Sequence, residues 1–141
     1  MDWLNNNSML LAQRSLDVTW TKQKMALDNI ANVDTPGYKA KYVLFEDELK
    51  KKLYDVHQLH LRDNLISVNS RRDKISDYRN AIQNTQMRVK QSEEESMRMD
   101  GNNVNLDVEE LEIARNAYQY QFALRHVSDQ LARLRLAIEG R

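Results

Sequence analysis

Residues 107–139 read DVEELEIARNAYQYQFALRHVSDQLARLRLAIE, a long run without glycine or proline. Apolar side chains recur in it at alternating intervals of four and three residues, which places them along one face of an α-helix. The members of this C-terminal seam are Ile113, Ala117, Tyr120, Leu124, Val127, Leu131, Leu134 and Ile138. Asp107 with Glu110 predicts a capping box at the helix start, and Gly140 predicts its end. The stretch therefore predicts a long amphipathic helix that needs a partner to bury its seam.

A second stretch without glycine or proline precedes Pro36 and predicts a helix over roughly residues 8–33. Its N-terminal seam follows the same alternating spacing and consists of Met9, Ala12, Leu16, Ala26, Ile30 and Val33, with Thr19 and Gln23 as polar members. Thr35 precedes the proline and is therefore pushed out of the helical conformation. Pro36 and Gly37 suit the two central positions of a type II turn, because glycine tolerates a positive φ at the second.

Composition supports a helical chain and excludes several classes of protein. The 141 residues include three Gly, one Pro and no Cys, and 21 Lys and Arg balance 21 Asp and Glu. So few turn-forming residues argue against a β-sandwich or barrel, and the balanced charge argues against a general nucleic-acid binder. Without Cys there is no disulfide or thiolate metal site, and no apolar run is long enough to span a bilayer. The N-terminus has neither a basic nor an apolar signal region, so we expect no cleaved signal peptide.

The middle of the chain is less regular. Residues 45–53 predict a short amphipathic helix through Phe45, Leu49 and Leu53, and residues 59–76 predict a loop because their periodicity is weak. Residues 75–83 suit one or two further helical turns. Apolar residues alternate with polar ones at Met87 and Val89 and again at Met97 and Met99, which suggests a small β-hairpin.

The fold predicted from these segments is mainly α. Long N- and C-terminal helices pack as an α-helical hairpin or coiled coil, with a short irregular segment between them. We expect residues 1–45 and 101–141 to form the coiled-coil core and residues 46–100 to form the middle segment. Apolar residues off the seams would remain partly exposed in one such pair, which favours contacts between molecules. They are Trp20, Met25, Leu111, Tyr118, Phe122 and Leu136.

Candidate sites for chemistry are weak. His57 and His60 are three residues apart, with Asp55 and Asp63 beside them, but no further metal ligand has convincing spacing. Solvated polar residues are the simpler interpretation, and His126 is best explained as a surface or contact residue. The sequence has no glycine-rich loop of the kind that binds phosphate. It also has no nucleophile motif that could work with a histidine. The sequence therefore predicts neither an enzyme nor a cofactor or metal site.

One string stands apart, Asn29-Ile30-Ala31-Asn32-Val33-Asp34-Thr35-Pro36-Gly37-Tyr38-Lys39. Its simplest interpretation is the end of a helix followed by a turn. Two asparagines on the last helical turn are unusual for scaffolding alone, because asparagine has only moderate helix propensity. Their side chains could cap exposed carbonyls or bond a neighbouring chain.

This string resembles the N-terminal signature of the flagellar axial proteins, the family of rod, hook and hook-associated subunits. In that family a helix ends in Asn-Ile-Ala-Asn and is followed by Thr-Pro-Gly-Tyr-Lys. The segment Met97-Arg98-Met99-Asp100-Gly101-Asn102-Asn103-Val104-Asn105-Leu106-Asp107 and the ending Leu134–Arg141 are similar to the short rod subunits, as is the length. The resemblance covers roughly the first 45 and the last 45 residues.

The resemblance implies a structural role. The terminal helices would form the family's coiled-coil core, and the subunit would polymerise into the proximal rod, transmit torque and line the export channel. It would leave the cytoplasm through the type III export channel without a cleaved signal and reach the periplasmic part of the basal body. Implied partners are other copies, other rod subunits, the ring-rod adaptor, the membrane ring and the export gate. The alternative from the residues alone is a cytoplasmic coiled-coil adaptor or secretion chaperone.

Overall fold

The computed structural model describes residues 7–63, 71–96 and 98–140. This part of the chain contains helices α1 (Asn7–Ala31), α2 (Glu46–Asp63), α3 (Arg71–Gln83) and α4 (Leu106–Glu139), and strands β1 (Lys41–Leu44) and β2 (Arg88–Gln91). The mainly α fold with long terminal helices is therefore confirmed. None of the helices in these ranges carries an apolar stretch that could cross a bilayer.

Helix α1 has 25 residues and stops two residues before the predicted boundary. The chain then turns as predicted, because the Tyr38 N–H donates to the Thr35 carbonyl at 3.3 Å across Pro36 and Gly37. Gly37 has a φ of 72°, which the second central position of a type II turn requires.

Helix α4 has 34 residues and is about 51 Å long. Its N-cap is Asn105, whose side-chain oxygen accepts the N–H groups of Asp107 at 3.1 Å and Val108 at 3.4 Å. The capping box predicted at Asp107 was therefore misplaced by two residues. Gly140 ends the helix as predicted, with a φ of 67° and an N–H that donates to the Leu136 carbonyl at 3.0 Å.

The two strands form a small antiparallel sheet, but with a different pairing from the predicted hairpin. Strand β2 includes the predicted Val89 and pairs with β1, and the Ser92 N–H extends this pairing by donating to the Ala40 carbonyl at 2.7 Å. Met99 lies in a turn rather than in a strand, while Met97 lies outside the described residues. The sheet thus joins two segments that are far apart in sequence.

The middle segment is more helical than its sequence suggested. The short helix predicted at residues 45–53 coincides with the start of α2, which has 18 residues, and α3 covers the predicted turns near residues 75–83. The predicted loop at residues 59–76 was wrong for residues 59–63 and 71–76, which are helical. Residues 64–70 lie outside the described part.

The chain divides into two compact units. In the first, residues 7–11 and 44–87 bring α2 and α3 together over the buried side chains Phe45, Leu49, Ala81 and Ile82. In the second, residues 12–43 and 88–140 combine most of α1 with the sheet and α4. The buried apolar residues of this second unit are small, namely Ala12, Val18, Ala26, Val43, Val104 and Ala123.

The two terminal helices pack together within the second unit and run antiparallel. Asn29, near the end of α1, bonds Glu109, near the start of α4. Two turns away, Lys22 of α1 and Asn116 of α4 line one groove of about 840 Å³. The predicted hairpin of terminal helices is therefore present.

Candidate functional site

The motif that follows α1 lies at the meeting point of α1, β1 and the loop before α4. The structure places its eight predicted residues as follows: Asn29 is buried, Ile30, Asn32 and Tyr38 are half-buried, and Ala31, Thr35, Pro36 and Gly37 are exposed. Asn29, Asn32 and Tyr38 are therefore at least partly covered, while the turn at residues 35–37 faces outward.

Asn29 is 1% exposed, and its side chain makes four hydrogen bonds. Its Nδ2 donates to the Lys41 carbonyl at 2.8 Å and to Glu109 Oε1 at 2.9 Å. Its Oδ1 accepts the Lys41 N–H at 2.8 Å and the Tyr38 hydroxyl at 3.3 Å. One buried amide thus pairs with the backbone of β1 and connects it to α4. All its donors and acceptors are satisfied, so its burial costs little.

A charged pair covers the outer side of this amide. Lys41 Nζ lies 2.8 Å from Asp28 Oδ2 and 5.4 Å from the centre of the Tyr38 ring. The hydrogen bond from Lys41 holds the pKa of the Asp28 carboxyl below its usual value, and the same bond raises the pKa of Lys41. Burial raises the pKa of the Tyr38 phenol, which therefore stays protonated and able to donate at neutral pH.

Asn102 closes the end of α1 from the other part of the chain. It is 0% exposed, and its Nδ2 lies 2.9 Å from the Asn32 carbonyl, 3.0 Å from that of Val33 and 2.9 Å from that of Thr35. Its Oδ1 accepts the Val104 N–H at 2.7 Å. These carbonyls lie in the turn directly after α1, and each also accepts a second donor, from the Thr35 N–H, Arg98 and the Tyr38 N–H respectively. Asn102 therefore fixes this turn from a position about 70 residues further along the chain.

Two glycines lie where the two loops meet. The Gly37 N–H donates to the Asp100 carbonyl at 2.8 Å, and a Cβ on Gly101 would lie 3.7 Å from the Gly37 Cα. Gly101 also has a φ of 76°, which disfavours any side chain there. Arg98 adds a bond of 3.0 Å to the Val33 carbonyl and pairs with Asp100 at 2.9 Å.

Asn103 connects the same loop to the start of the sheet. Its Oδ1 accepts the Ala40 N–H at 2.8 Å, and its own N–H donates to the Tyr38 carbonyl at 3.4 Å. We call the junction formed by residues 28–41 with residues 98–109 the terminal clasp. Its side chains are used to bond one another and the backbone, so its chemistry is that of a structural joint.

The sequence predicts a contact role for only one half of the terminal clasp, since residues 97–107 stand out by their resemblance to short rod subunits alone. The string 29–39 predicts that its asparagines cap carbonyls or bond a neighbouring chain. Asn32 does cap a carbonyl, because its Nδ2 donates to the Asp28 carbonyl of α1 at 2.7 Å. The carbonyls of the turn that follows are bonded by Asn102, with Asn103 beside it. The available signal was the Asp-Gly-Asn-Asn run at residues 100–103, where a glycine precedes two side chains that readily bond backbone groups.

The seam residues lie in varied surroundings. On α1, Ala12 and Ala26 are buried, and Met9, Leu16 and Ile30 are half-buried. On α4, Ile113, Val127 and Leu134 are half-buried, whereas Ala117, Tyr120, Leu124, Leu131 and Ile138 are exposed. The buried residues of α4 are Asn116 and Ala123, which lie to one side of the seam. Use of the full C-terminal seam stays a prediction.

The histidines lie on helices rather than in a loop. His60 is buried in the first unit, with Nε2 2.9 Å from Asp77 Oδ2, and its ring meets the Tyr78 ring edge-on at 5.2 Å. His57 Nδ1 lies 3.4 Å from the Tyr78 hydroxyl. Within the described ranges no group of three or more potential metal ligands comes together. His126 is half-buried on α4.

Glu109 is the carboxyl group of the terminal clasp whose surroundings disfavour its charged form. Burial raises its pKa, and the hydrogen bond from Asn29 offsets only part of that effect. The native state therefore binds a proton more readily than the unfolded chain at this position. It follows that this group's contribution to stability falls as the pH rises through the usual titration range of a glutamate and above it.

We expect Glu109→Gln to raise the melting temperature at pH 7 by about 1–3 °C relative to Glu110→Gln. The glutamine keeps an oxygen for Asn29 but carries no charge to desolvate. Glu110 is exposed and lies in the same part of α4, so its substitution controls for the lost interaction with the helix dipole. Thermal unfolding by circular dichroism at pH 7 and pH 4 measures the effect. Equal melting temperatures for both variants at pH 7 would contradict it.

Comparison with known proteins places this junction in a family. A family model described as flagella basal body rod protein matches residues 9–39, which include the whole motif at residues 29–39. The chain is 31% identical to the flagellar basal body rod protein FlgB of Bacillus subtilis over 123 residues, covering 84% of this chain and 83% of that protein.

Two further relatives extend the match. FlgB of Buchnera aphidicola is 30% identical over 129 residues, which cover 91% of each chain. FlgB of Escherichia coli is 29% identical over 119 residues, which cover 84% of this chain and 83% of that protein. These alignments include both halves of the terminal clasp and the middle segment. The chain belongs to the FlgB family of flagellar basal body rod proteins.

Proposed function

We propose that the chain is a structural subunit of the proximal rod of the bacterial flagellar basal body, and that it polymerises through its terminal helices. The observation that carries this proposal is the 30% identity with a flagellar basal body rod protein across 91% of the chain. The terminal clasp supports it, because a subunit that transmits torque needs its two chain ends held as one body.

The mechanical role follows from the same arrangement. Helices α1 and α4 carry many apolar side chains that the single chain leaves exposed. Copies arranged around an axis would bury these side chains, transmit torque through the helices and leave a central channel for later exports. In this scheme residues 1–45 and 101–141 form the core of the rod wall, and residues 46–100 form an outer segment.

The partners follow from the place in the basal body. We infer contacts with other copies, other rod subunits, the ring-rod adaptor, the membrane ring and the export gate. We also infer that the chain reaches the periplasmic rod through the type III export channel and keeps its N-terminus. These inferences rest on family membership and involve no nucleic acid, enzyme activity or cofactor.

Deleting residues 127–141 tests the role of the terminal helix. These residues lie after the terminal clasp, so the deletion spares its side chains while removing the last turns of α4 with the exposed Leu131, Leu136 and Ile138. We expect cells with the deletion to be non-motile and their basal bodies to lack the protein, whereas the full chain restores both. Motile cells with normal basal bodies would contradict the proposal.

Sedimentation separates the rod subunit from the adaptor or chaperone alternative. A rod subunit should form larger assemblies as its concentration rises, because its contacts are not closed. An adaptor should stay a discrete dimer at every concentration. The match to rod proteins gives the alternative no support.

A further inference from the structure

Helix α1 carries a line of exposed residues on the side away from its buried residues. This outer line of α1 follows intervals of four, three, four, three and four, and consists of Gln13, Asp17, Trp20, Lys24, Leu27 and Ala31. Trp20 is 64% exposed and Leu27 is 52% exposed. The buried Val18 and Asn29 lie across the helix from Trp20 and Leu27, because each residue advances about 100°.

Helix α4 carries an outer line of its own, distinct from the predicted seam. The outer line of α4 consists of Leu111, Arg115, Tyr118, Phe122, Arg125 and Asp129, all of them exposed. Tyr118 is 76% exposed and Phe122 is 77% exposed, although aromatic side chains of this size usually account for much of a buried core or interface. The buried Asn116 and Ala123 lie on another face of the helix.

The two outer lines match each other when they run antiparallel. Read from Asp129 back to Leu111, the intervals on α4 are four, three, four, three and four, the same as on α1. Two helices whose contact residues share such a repeat can interlock over several turns. Within one chain both outer lines face outward. They can therefore pack together only when they belong to two different copies.

We propose that the outer line of α4 in one copy docks antiparallel on the outer line of α1 in a second copy, with Trp20 opposite Phe122. This inference rests on the proposed function, since it names which faces meet when the chain polymerises. Copies that share one orientation present these lines antiparallel, because α1 and α4 are already antiparallel within each chain.

The alignment is chemically complementary at the two positions beside the Trp20–Phe122 pair. Asp17 of one copy lies opposite Arg125 of the other, which pairs opposite charges. Lys24 lies opposite Tyr118, so the ammonium group meets an aromatic face. Shifting the alignment by one turn towards the N-terminus of α4 places Lys24 opposite the exposed Arg115. These two positive charges repel each other. Charge therefore selects one register.

The size of the contact indicates a lattice rather than an isolated dimer. The exposed parts of Trp20, Tyr118 and Phe122 amount to on the order of 400 Å² of aromatic surface. A stable two-protein interface buries about 1,600 Å² in total, so this contact needs others beside it. It is also heterologous, since α1 meets α4, and heterologous contacts continue from copy to copy.

Cross-linking tests the register directly, because the chain has no Cys of its own. Cells would produce two full-length single-substitution variants, Asp17→Cys with an epitope tag and Arg125→Cys without one. Basal bodies are isolated and oxidised, and disulfide-linked pairs are detected by their mass and the tag. We expect a disulfide-linked pair of one tagged and one untagged chain when both variants are present. We expect no disulfide-linked pair when either variant is produced alone.

The matched control replaces Arg125→Cys by Arg133→Cys, which is also exposed on α4 but about 12 Å further along. We expect its cross-linking yield to be at least tenfold lower. Equal yields, or no cross-link although both variants are present in the basal bodies, would overturn the inference and leave the proposed function standing. Absence of both variants and of the unaltered chain from basal bodies would overturn the proposed function itself.

Charge reversal provides an independent readout. We expect Asp17→Arg to reduce incorporation into basal bodies at least tenfold, because two arginines then face each other. Adding Arg125→Asp in the same chain should restore incorporation. Normal incorporation of the single variant, or no rescue by the double variant while both keep wild-type circular dichroism, would mean that another surface covers this face.

Discussion

Replacing Asn102 by alanine is expected to lower the free energy of unfolding by about 3 kcal/mol, a large fraction of the stability of a small protein. The substitution removes the amide that caps the carbonyls of Asn32, Val33 and Thr35, and the oxygen that accepts the Val104 N–H. Each buried polar group left without a partner costs about 1–3 kcal/mol. Each of the three carbonyls keeps a second donor, from the Thr35 N–H, Arg98 and the Tyr38 N–H respectively, so the expected loss is well below the full cost for four groups.

Urea unfolding followed by circular dichroism measures the loss, and amide hydrogen exchange locates it. We expect exchange to accelerate most at the end of α1 and in the turn at residues 35–38, although the substitution lies far away in sequence. Asn84→Ala is the matched control, because Asn84 is exposed on the other compact unit. A loss below 1 kcal/mol, or one equal to the control, would show that Asn102 does not hold the terminal clasp.

Asn29→Asp is expected to destabilise the chain by at least about 3 kcal/mol at pH 7 while changing almost no volume. Its two donated bonds, to the Lys41 carbonyl and to Glu109, become contacts between oxygens. The new carboxylate is also buried next to the carboxyl of Glu109. Burial and this neighbouring charge both raise its pKa in the folded state.

The sign of the pH dependence follows from that raised pKa. The folded state gains a proton at a pH where the unfolded chain is still ionised, so the destabilisation should shrink as the pH falls from about 7.5 to 5. Urea unfolding at these two pH values measures it, with Asn80→Asp on the exposed surface of α3 as control. A pH-independent loss would mean that the new carboxyl does not face Glu109.

The terminal helices could be predicted because their signal is local. Alternating spacing and the absence of glycine and proline define α4 over many turns, and Gly140 marks its end. The N-cap was misplaced because Asn105 and Asp107 are both good capping residues, and spacing alone does not choose between them. Which stripe of α4 is buried depends on neighbours, so Asn116 could not be identified from periodicity.

The sequence pattern predicts the middle helices too short for a different reason. Helix α2 buries Leu49 and His60 on one side, but a histidine does not count as an apolar position in a sequence pattern. Its partner Asp77 lies on α3, so only the packed structure shows why the imidazole is inside. The contacts of Asn102 were missed in the same way, because its acceptors lie about 70 residues earlier.

Imaging basal bodies by electron cryo-tomography tests the central claim most directly. Cells lacking the chromosomal copy would produce the full chain with a small rigid density label fused within residues 64–70, between α2 and α3. The account predicts motile cells and extra density around the proximal rod. Motile cells whose label lies in the cytoplasm, with unlabelled rods, would contradict it.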